Sequence, residues 1–311
     1  MTVRKSPSRS SSTCGRPEEL DNKHFYKTQP SVKDHAVVWG LSRTASRHAI
    51  RFWKNVERVA FRLQILASLL GSAPMLNQLY KRPLIRNGIL GSLSPSDFDY
   101  IRPYLEPVAL KERSVLQEPN KQVEYVNFVE TGVISLMTLA KGSILETAMV
   151  GWRGAAPVSV VLGARTCGHR STVLVSGTAL RIRSGDLVHS MQERPHIREH
   201  LLRYVRSLMI HSSQRALCGV RHQLDQRLAC WLCMACDALN SDTLPITHDH
   251  LSTMLGFRRA GVTESLRQFE KQGLVRKMRG LLQIRDRERL GRKACCCYRI
   301  IESAYKWNES I

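Results

Sequence analysis

The sequence predicts an α+β fold in three parts: an N-terminal β-roll of jelly-roll type, a long dimerisation helix and a C-terminal winged helix-turn-helix. Three observations predict it. Six short β-rich runs with intervening glycines fill residues 114–183, as in an antiparallel barrel or jelly roll. From Pro195, apolar residues recur at helical spacing over a long stretch. Thr247–Asp286 reads as a helix, a glycine turn, a second helix opening on two arginines, and a short basic hairpin.

Residues 1–90 form a basic extension. Residues 1–35 are rich in Ser, Lys, Arg and Pro and are expected to be disordered. Residues 36–70 place Trp39, Phe52, Trp53, Val56 and Leu63 among arginines. They suit a basic amphipathic helix that binds a membrane surface or nucleic acid, or packs on the body. Organised signals begin just after Met75, so a start there, with residues 1–74 not normally translated, is an equal expectation.

The β-roll is expected over 91–193. Ser94 caps a helix running to about Tyr104, with Pro95 at its first position. The strands are Ser114–Leu116, Tyr125–Glu130, Gly132–Thr138, Leu145–Val150, Ser171–Val175 and Thr178–Arg183, followed by a short helix, Asp186–Gln192. The dimerisation helix covers 194–220. Its stripe Ile197, Leu201, Val205, Leu208 and Met209 needs a partner, and a parallel copy is favoured over the chain's own roll. A further helix, about His222–Leu239, and a linker, Asn240–Pro245, open the winged domain at 221–290. Residues 291–311 are expected to be a dispensable tail carrying the unusual run Cys295, Cys296 and Cys297, with metal binding or oxidation of that run as the alternatives.

Within the winged domain, Thr247 caps the first helix, and Leu251, Met254 and Leu255 form its apolar face. Gly256 supplies the turn. Val262, Leu266 and Phe269 point inward from the second helix, leaving Arg258, Arg259, Thr263, Glu264 and Arg267 outward. A helix in the major groove of double-stranded DNA needs such residues near its N-terminus, because the arginine fork grips guanine or phosphate. Gly273 ends the helix. Leu274 and Val275 start a strand that turns at Arg279-Gly280 and returns through Leu281, Leu282 and Ile284. His248, Lys277 and Arg279 are candidate phosphate contacts. The alternative is a structural helical hairpin with a solvated basic face.

Composition agrees. The chain of 311 residues carries 47 Lys+Arg against 26 Asp+Glu, a net charge of +21, which favours a polyanionic partner. The charge is divided: residues 1–90 hold 16 basic and 5 acidic residues, and 91–311 hold 31 and 21. No apolar run approaches membrane-spanning length, and no secretory core is evident. Nine cysteines without a disulfide framework suit a reduced, cytoplasmic protein. Cys230, Cys233 and Cys236 follow a metal-like spacing but read as helix core. His248 and His250 read as solvated or phosphate-facing. No Ser-His-Asp set, phosphate-cradling loop or paired-acid arrangement supports an enzyme, and a cupin barrel would need a histidine cluster on strands.

In Val129–Ile134 (VETGVI), Ala179–Gly185 (ALRIRSG), Asp225–Leu228 (DQRL) and Leu251–Leu274, the chain resembles the Crp/Fnr family of bacterial transcription regulators over about residues 90–290. The resemblance implies a cyclic-nucleotide-binding-like β-roll that senses a signal, a dimerising helix, a palindromic operator and contact with RNA polymerase. Arg259 matches an operator-reading arginine of the cyclic-AMP receptor branch. Ala260 stands where many members are acidic, and Glu264 where that branch is basic, so the operator should differ. Arg170 and Ser171 fall near the pair that holds a cyclic phosphate. Val150–Pro157 carries no acid for the ribose, so cyclic AMP is not the expected effector. An iron–sulfur cluster is not expected either, because Cys14 and Cys167 cannot supply four thiolates. Cys167, His169 and His189 are only nominal haem ligands. No cofactor or metal is expected. The competing class is a β-roll module that binds a small molecule, its DNA binding secondary or lost. A third is a protein anchored to a membrane or partner through residues 36–70.

Overall fold

The computed structural model describes residues 85–141 and 143–306. The expectations for residues 1–84, including the amphipathic stretch and a start at Met75, lie outside the described residues.

The roll begins with two short helices, α1 (Gly88–Gly91) and α2 (Pro95–Ile101). As expected, the Ser94 side chain accepts a hydrogen bond from the Asp97 amide at 3.1 Å, and Pro95 opens the helix. Six strands follow: β1 (Glu106–Leu110), β2 (Val115–Gln117), β3 (Tyr125–Ala140), β4 (Ser143–Val150), β5 (Ala155–Ala156) and β6 (Arg170–Arg183). They form one antiparallel sheet in the order β1-β6-β3-β4, with β2 also on β6 and β5 on β3. The runs expected on either side of residue 131 form one strand, β3, and those on either side of residue 177 form β6. Register shifts between Val129 and Ile134 absorb the irregularity without ending the pairing. β1 gives no alternation signal, since only Leu110 is buried. It pairs at an edge, where Pro107 is tolerated.

Two helices close the roll: α3 (Ser184–Glu193) and the long α4 (Pro195–Arg221). The predicted stripe of α4 divides. Ile197, Leu201, Val205 and Leu208 are buried in the core of the chain's own roll, with Phe128, Ile134 and Ile182. The same face sends the Tyr204 hydroxyl to the Ala155 carbonyl at 3.0 Å. Spacing says that a face must be buried but not by what, and the adjacent roll reaches this one. Met209 instead is exposed, as are Leu202, Leu217 and Val220, at 63%, 37%, 44% and 84%.

The chain breaks at His222–Gln223 and continues as α5 (Leu224–Leu239), capped by a reciprocal Gln223–Gln226 pair. Cys230, Cys233 and Cys236 are wholly buried in α5. Next come β7 (Thr243–Leu244), α6 (His248–Leu255), α7 (Arg259–Lys271), β8 (Val275–Met278) and β9 (Leu281–Ile284). The wing has three strands, ordered β7-β9-β8, because part of the expected linker pairs with β9. The expected tail also differs. α8 (Arg287–Lys293) crosses the proposed boundary at 290, and α9 (Cys297–Ala304) packs on α4 and α5. Cys295 and Cys297 are buried there with Ile301.

The winged module is joined to the roll by a shared core. Val133, Met137, Met149, Leu174 and Val175 pack with Trp231, Leu255 and their neighbours. At its centre lies Glu146 of β4. Its carboxylate accepts from the Ser135 hydroxyl and from Trp231 Nε1, both at 2.6 Å, with Arg215 at 4.0 Å. Burial pushes the Glu146 carboxyl up, and Arg215 opposes that shift. Nearby, a Cβ on Gly151 would stand 2.0 Å from the Ala238 carbonyl oxygen, so only glycine allows this approach of roll to α5.

Candidate nucleic-acid interface

α6 and α7 form the two helices of the turn. The Thr247 hydroxyl caps α6 by accepting from the His250 amide at 3.2 Å. Leu251, Met254 and Leu255 face inward as expected, and Gly256 ends α6 with φ of 68°. That left-handed conformation turns the chain sharply, and a larger side chain would strain it. Arg227 of α5 braces the turn: its Nη2 donates to the Leu255 carbonyl at 2.7 Å, and its guanidinium lies 4.4 Å from the centre of the Phe257 ring.

α7 buries Val262, Ser265, Leu266 and Phe269. Its other face is open. Arg259, Ala260, Thr263, Glu264 and Arg267 line one surface concavity, and Arg258 stands exposed at the helix N-cap. The structure thus brings together the five residues expected to face an operator. It also assigns them partners. Arg259 Nε lies 3.1 Å from the Asp249 carboxylate of α6. Arg267 pairs with Glu264 one turn earlier. Thr263 Oγ1 is 3.0 Å from His248 Nδ1. His248 is held below its usual range by burial, then by Lys277 and Arg259, with Asp249 opposing. The Thr263 hydroxyl and the His248 ring thus join α7 to α6.

The candidate phosphate contacts also separate. Lys277 Nζ is 3.0 Å from Glu270, whose carboxylate also accepts from the Lys277 amide at 2.9 Å. Arg279 is exposed at the wing turn and makes no ion pair among the described residues. Two cations went unremarked in the sequence, Lys271 and Arg276, both exposed beside the wing. Strand alternation was the available signal: Val275 points inward, so Arg276 points out.

At the roll, Arg170 opens β6 and its Nε donates to Glu118 at 2.9 Å, while Ser171 is fully buried. Where a ribose-binding acid was sought, Trp152 Nε1 donates to the Asp237 carbonyl at 3.0 Å, so that segment fastens the roll to α5. A cavity of about 50 Å³ lies between roll, α4, α5 and α9, beside Tyr204, His211 and Tyr305. It has room for water but not for a nucleotide. No helix among the described residues is long and apolar enough to cross a membrane.

Residues 226–293 match the Crp-like helix-turn-helix domain. No curated protein matches the chain by sequence. Among solved structures, FixK2 from Bradyrhizobium japonicum superposes with a TM-score of 0.54 at 14% identity, covering 62% of this chain and 98% of that one. The c-di-GMP responsive global regulator CLP of Xanthomonas campestris gives 0.52 at 11%, covering 62% and 100%. A structure from Eubacterium rectale assigned to the Crp/Fnr family gives 0.51 at 18%, covering 66% and 96%. Each likeness takes in nearly the whole of the other chain. Residues 226–293 thus form a Crp-like helix-turn-helix domain, carried on a fold shared with Crp/Fnr-type structures.

Proposed function

We propose that the chain acts in the cytoplasm as a homodimer that places one α7 from each copy in successive major grooves of a palindromic operator. The observation that carries this reading is the outer face of α7, where Arg258, Arg259, Thr263, Glu264 and Arg267 stand free of the packed core. Arg259 and Thr263 are assigned to base edges. Arg258, Arg267, Arg279 and Arg276 are assigned to phosphates, with Lys277 and His248 in supporting positions. Ion pairs such as Arg259–Asp249, two-thirds exposed on both sides, are weak in water and give way to a phosphate or guanine. Dimerisation uses the outer face of α4, where Met209, Leu217 and Val220 are exposed.

RNA polymerase is the proposed partner of the bound dimer, and no catalysis is assigned. The reading uses neither cyclic AMP nor an iron–sulfur cluster. The pairing of Arg170 with Glu118 and the absence of an acid in Val150–Pro157 support the first.

Mobility shifts on operator and random DNA test the reading. Arg259→Ala should lose about 1–3 kcal/mol on the operator and relax preference at one base position. Arg279→Ala should weaken both DNAs alike and flatten the salt dependence. Equal losses from Arg259→Ala on both DNAs would move it to the phosphate group.

A further inference from the structure

Four side chains distant in sequence meet at the break between α4 and α5. Cys218 comes from the last turn of α4, and His222 caps it. Cys295 lies between α8 and α9 and Cys297 opens α9, on either side of Cys296. The three sulfurs and one imidazole nitrogen all fall within 4.8 Å of one another. Cys218 Sγ is 3.4 Å from Cys295 Sγ, and Cys297 Sγ is 3.7 Å from His222 Nδ1. Cys218, Cys295 and Cys297 are 0%, 4% and 0% exposed.

These distances fit a metal better than they fit thiol hydrogen bonding, which is weak. Zinc bound tetrahedrally, at about 2.3 Å from sulfur and about 2.0 Å from nitrogen, sets its ligand atoms about 3.5–3.8 Å apart. The irons and sulfides of a cluster would need the four donors spread wider. The charge around the group points the same way. Arg215 and Arg227 are both buried, and Arg215 Nε and Nη1 and Arg227 Nε have no hydrogen-bond partner. Two buried cations facing a single carboxylate, Glu146 at 4.0 Å from Arg215, are costly without further negative charge. Arg227 packs against Gly219, next to Cys218, with its Nη2 about 4.0 Å from where a Cβ would stand.

We propose that Cys218, His222, Cys295 and Cys297 bind one zinc ion in a closed tetrahedral site. Binding displaces three thiol protons to solvent and forms three Zn–S bonds and one Zn–N bond. The resulting centre carries a net charge of −1, which together with Glu146 balances Arg215 and Arg227. All four positions are filled by protein, so the site is structural. It staples the C-terminal segment across the joint between the long helix and the winged module. Cys296 is exposed and outside the set.

The test uses the full chain, purified under reducing conditions. Elemental analysis should find about one zinc per chain. After chelation and desalting, cobalt(II) titration should give a saturable thiolate-to-cobalt charge-transfer band with the visible bands of a tetrahedral ion. Cys297→Ser and His222→Ala should lose bound zinc, while Cys296→Ser keeps it. If the first two fail to fold, the wild-type cobalt spectrum decides. Absence of that band and of zinc overturns the proposal, and so does zinc loss in Cys296→Ser equal to that in Cys297→Ser.

Discussion

His211 of α4 sits where burial opposes its charge. It is 2% exposed, and its Nδ1 is 3.2 Å from the Tyr305 hydroxyl. Burial first, then the neighbouring Arg215, lowers its pKa to about 3. The unfolded chain takes up a proton near pH 6.5, whereas the folded chain does not until about pH 3. Stability from this group is therefore complete above the unfolded value and falls as the pH drops between the two, costing about 2 kcal/mol from pH 7 to pH 5. Glu146, with its pKa raised mainly by burial, acts in the opposite sense, so the comparison is between variants. In reversible urea unfolding, His211→Gln should lose about 2 kcal/mol less than wild type over that interval. An identical loss in both would place a proton on native His211.

At the scale of elements, α4 has two working faces. The buried one seals the roll, and the outer one is the proposed dimer surface. Met209→Glu places a charge on the outer face without touching the roll core. Sedimentation should show a monomer with unchanged secondary structure, and a persistent dimer would move the interface elsewhere. The contrast between the faces marks how far the sequence could be read. Winged-domain elements were legible because short-range chemistry defines them: Thr247 and Gly256 bound α6, and Val262, Leu266 and Phe269 orient α7. The strands were legible as runs but not as lengths, because β3 and β6 pass through residues 132 and 177 by shifting register. The stripe Ile197–Leu208 was legible as a face that must be buried, while its partner was set by long-range packing. Of the candidate interface, the exposed positions on α7 were legible and their partners Asp249 and His248 were not, since those contacts depend on how α6 crosses α7. Cys295, Cys296 and Cys297 stood out as an unusual run but not as a site, because the neighbours Cys218 and His222 lie more than seventy residues away.

Across the whole molecule, the roll and winged module share one core rather than hanging from a linker. Glu146 is bonded to Ser135 of its own sheet and Trp231 of α5, and Gly151 lets that helix approach. This arrangement leaves the basic face of α7 outward while its apolar face stays buried. A shift of α5 against the roll would have to break a buried carboxylate network, which is costly when a partner is left unpaired. The roll is thus mechanically tied to the winged module. The central claim is that two copies of α7 read a two-fold DNA sequence. Selection of bound sequences from a random duplex library by the full chain tests it most directly. The account predicts enrichment of an inverted repeat with half-sites about one helical turn apart; a pool that gains no sequence preference would contradict it.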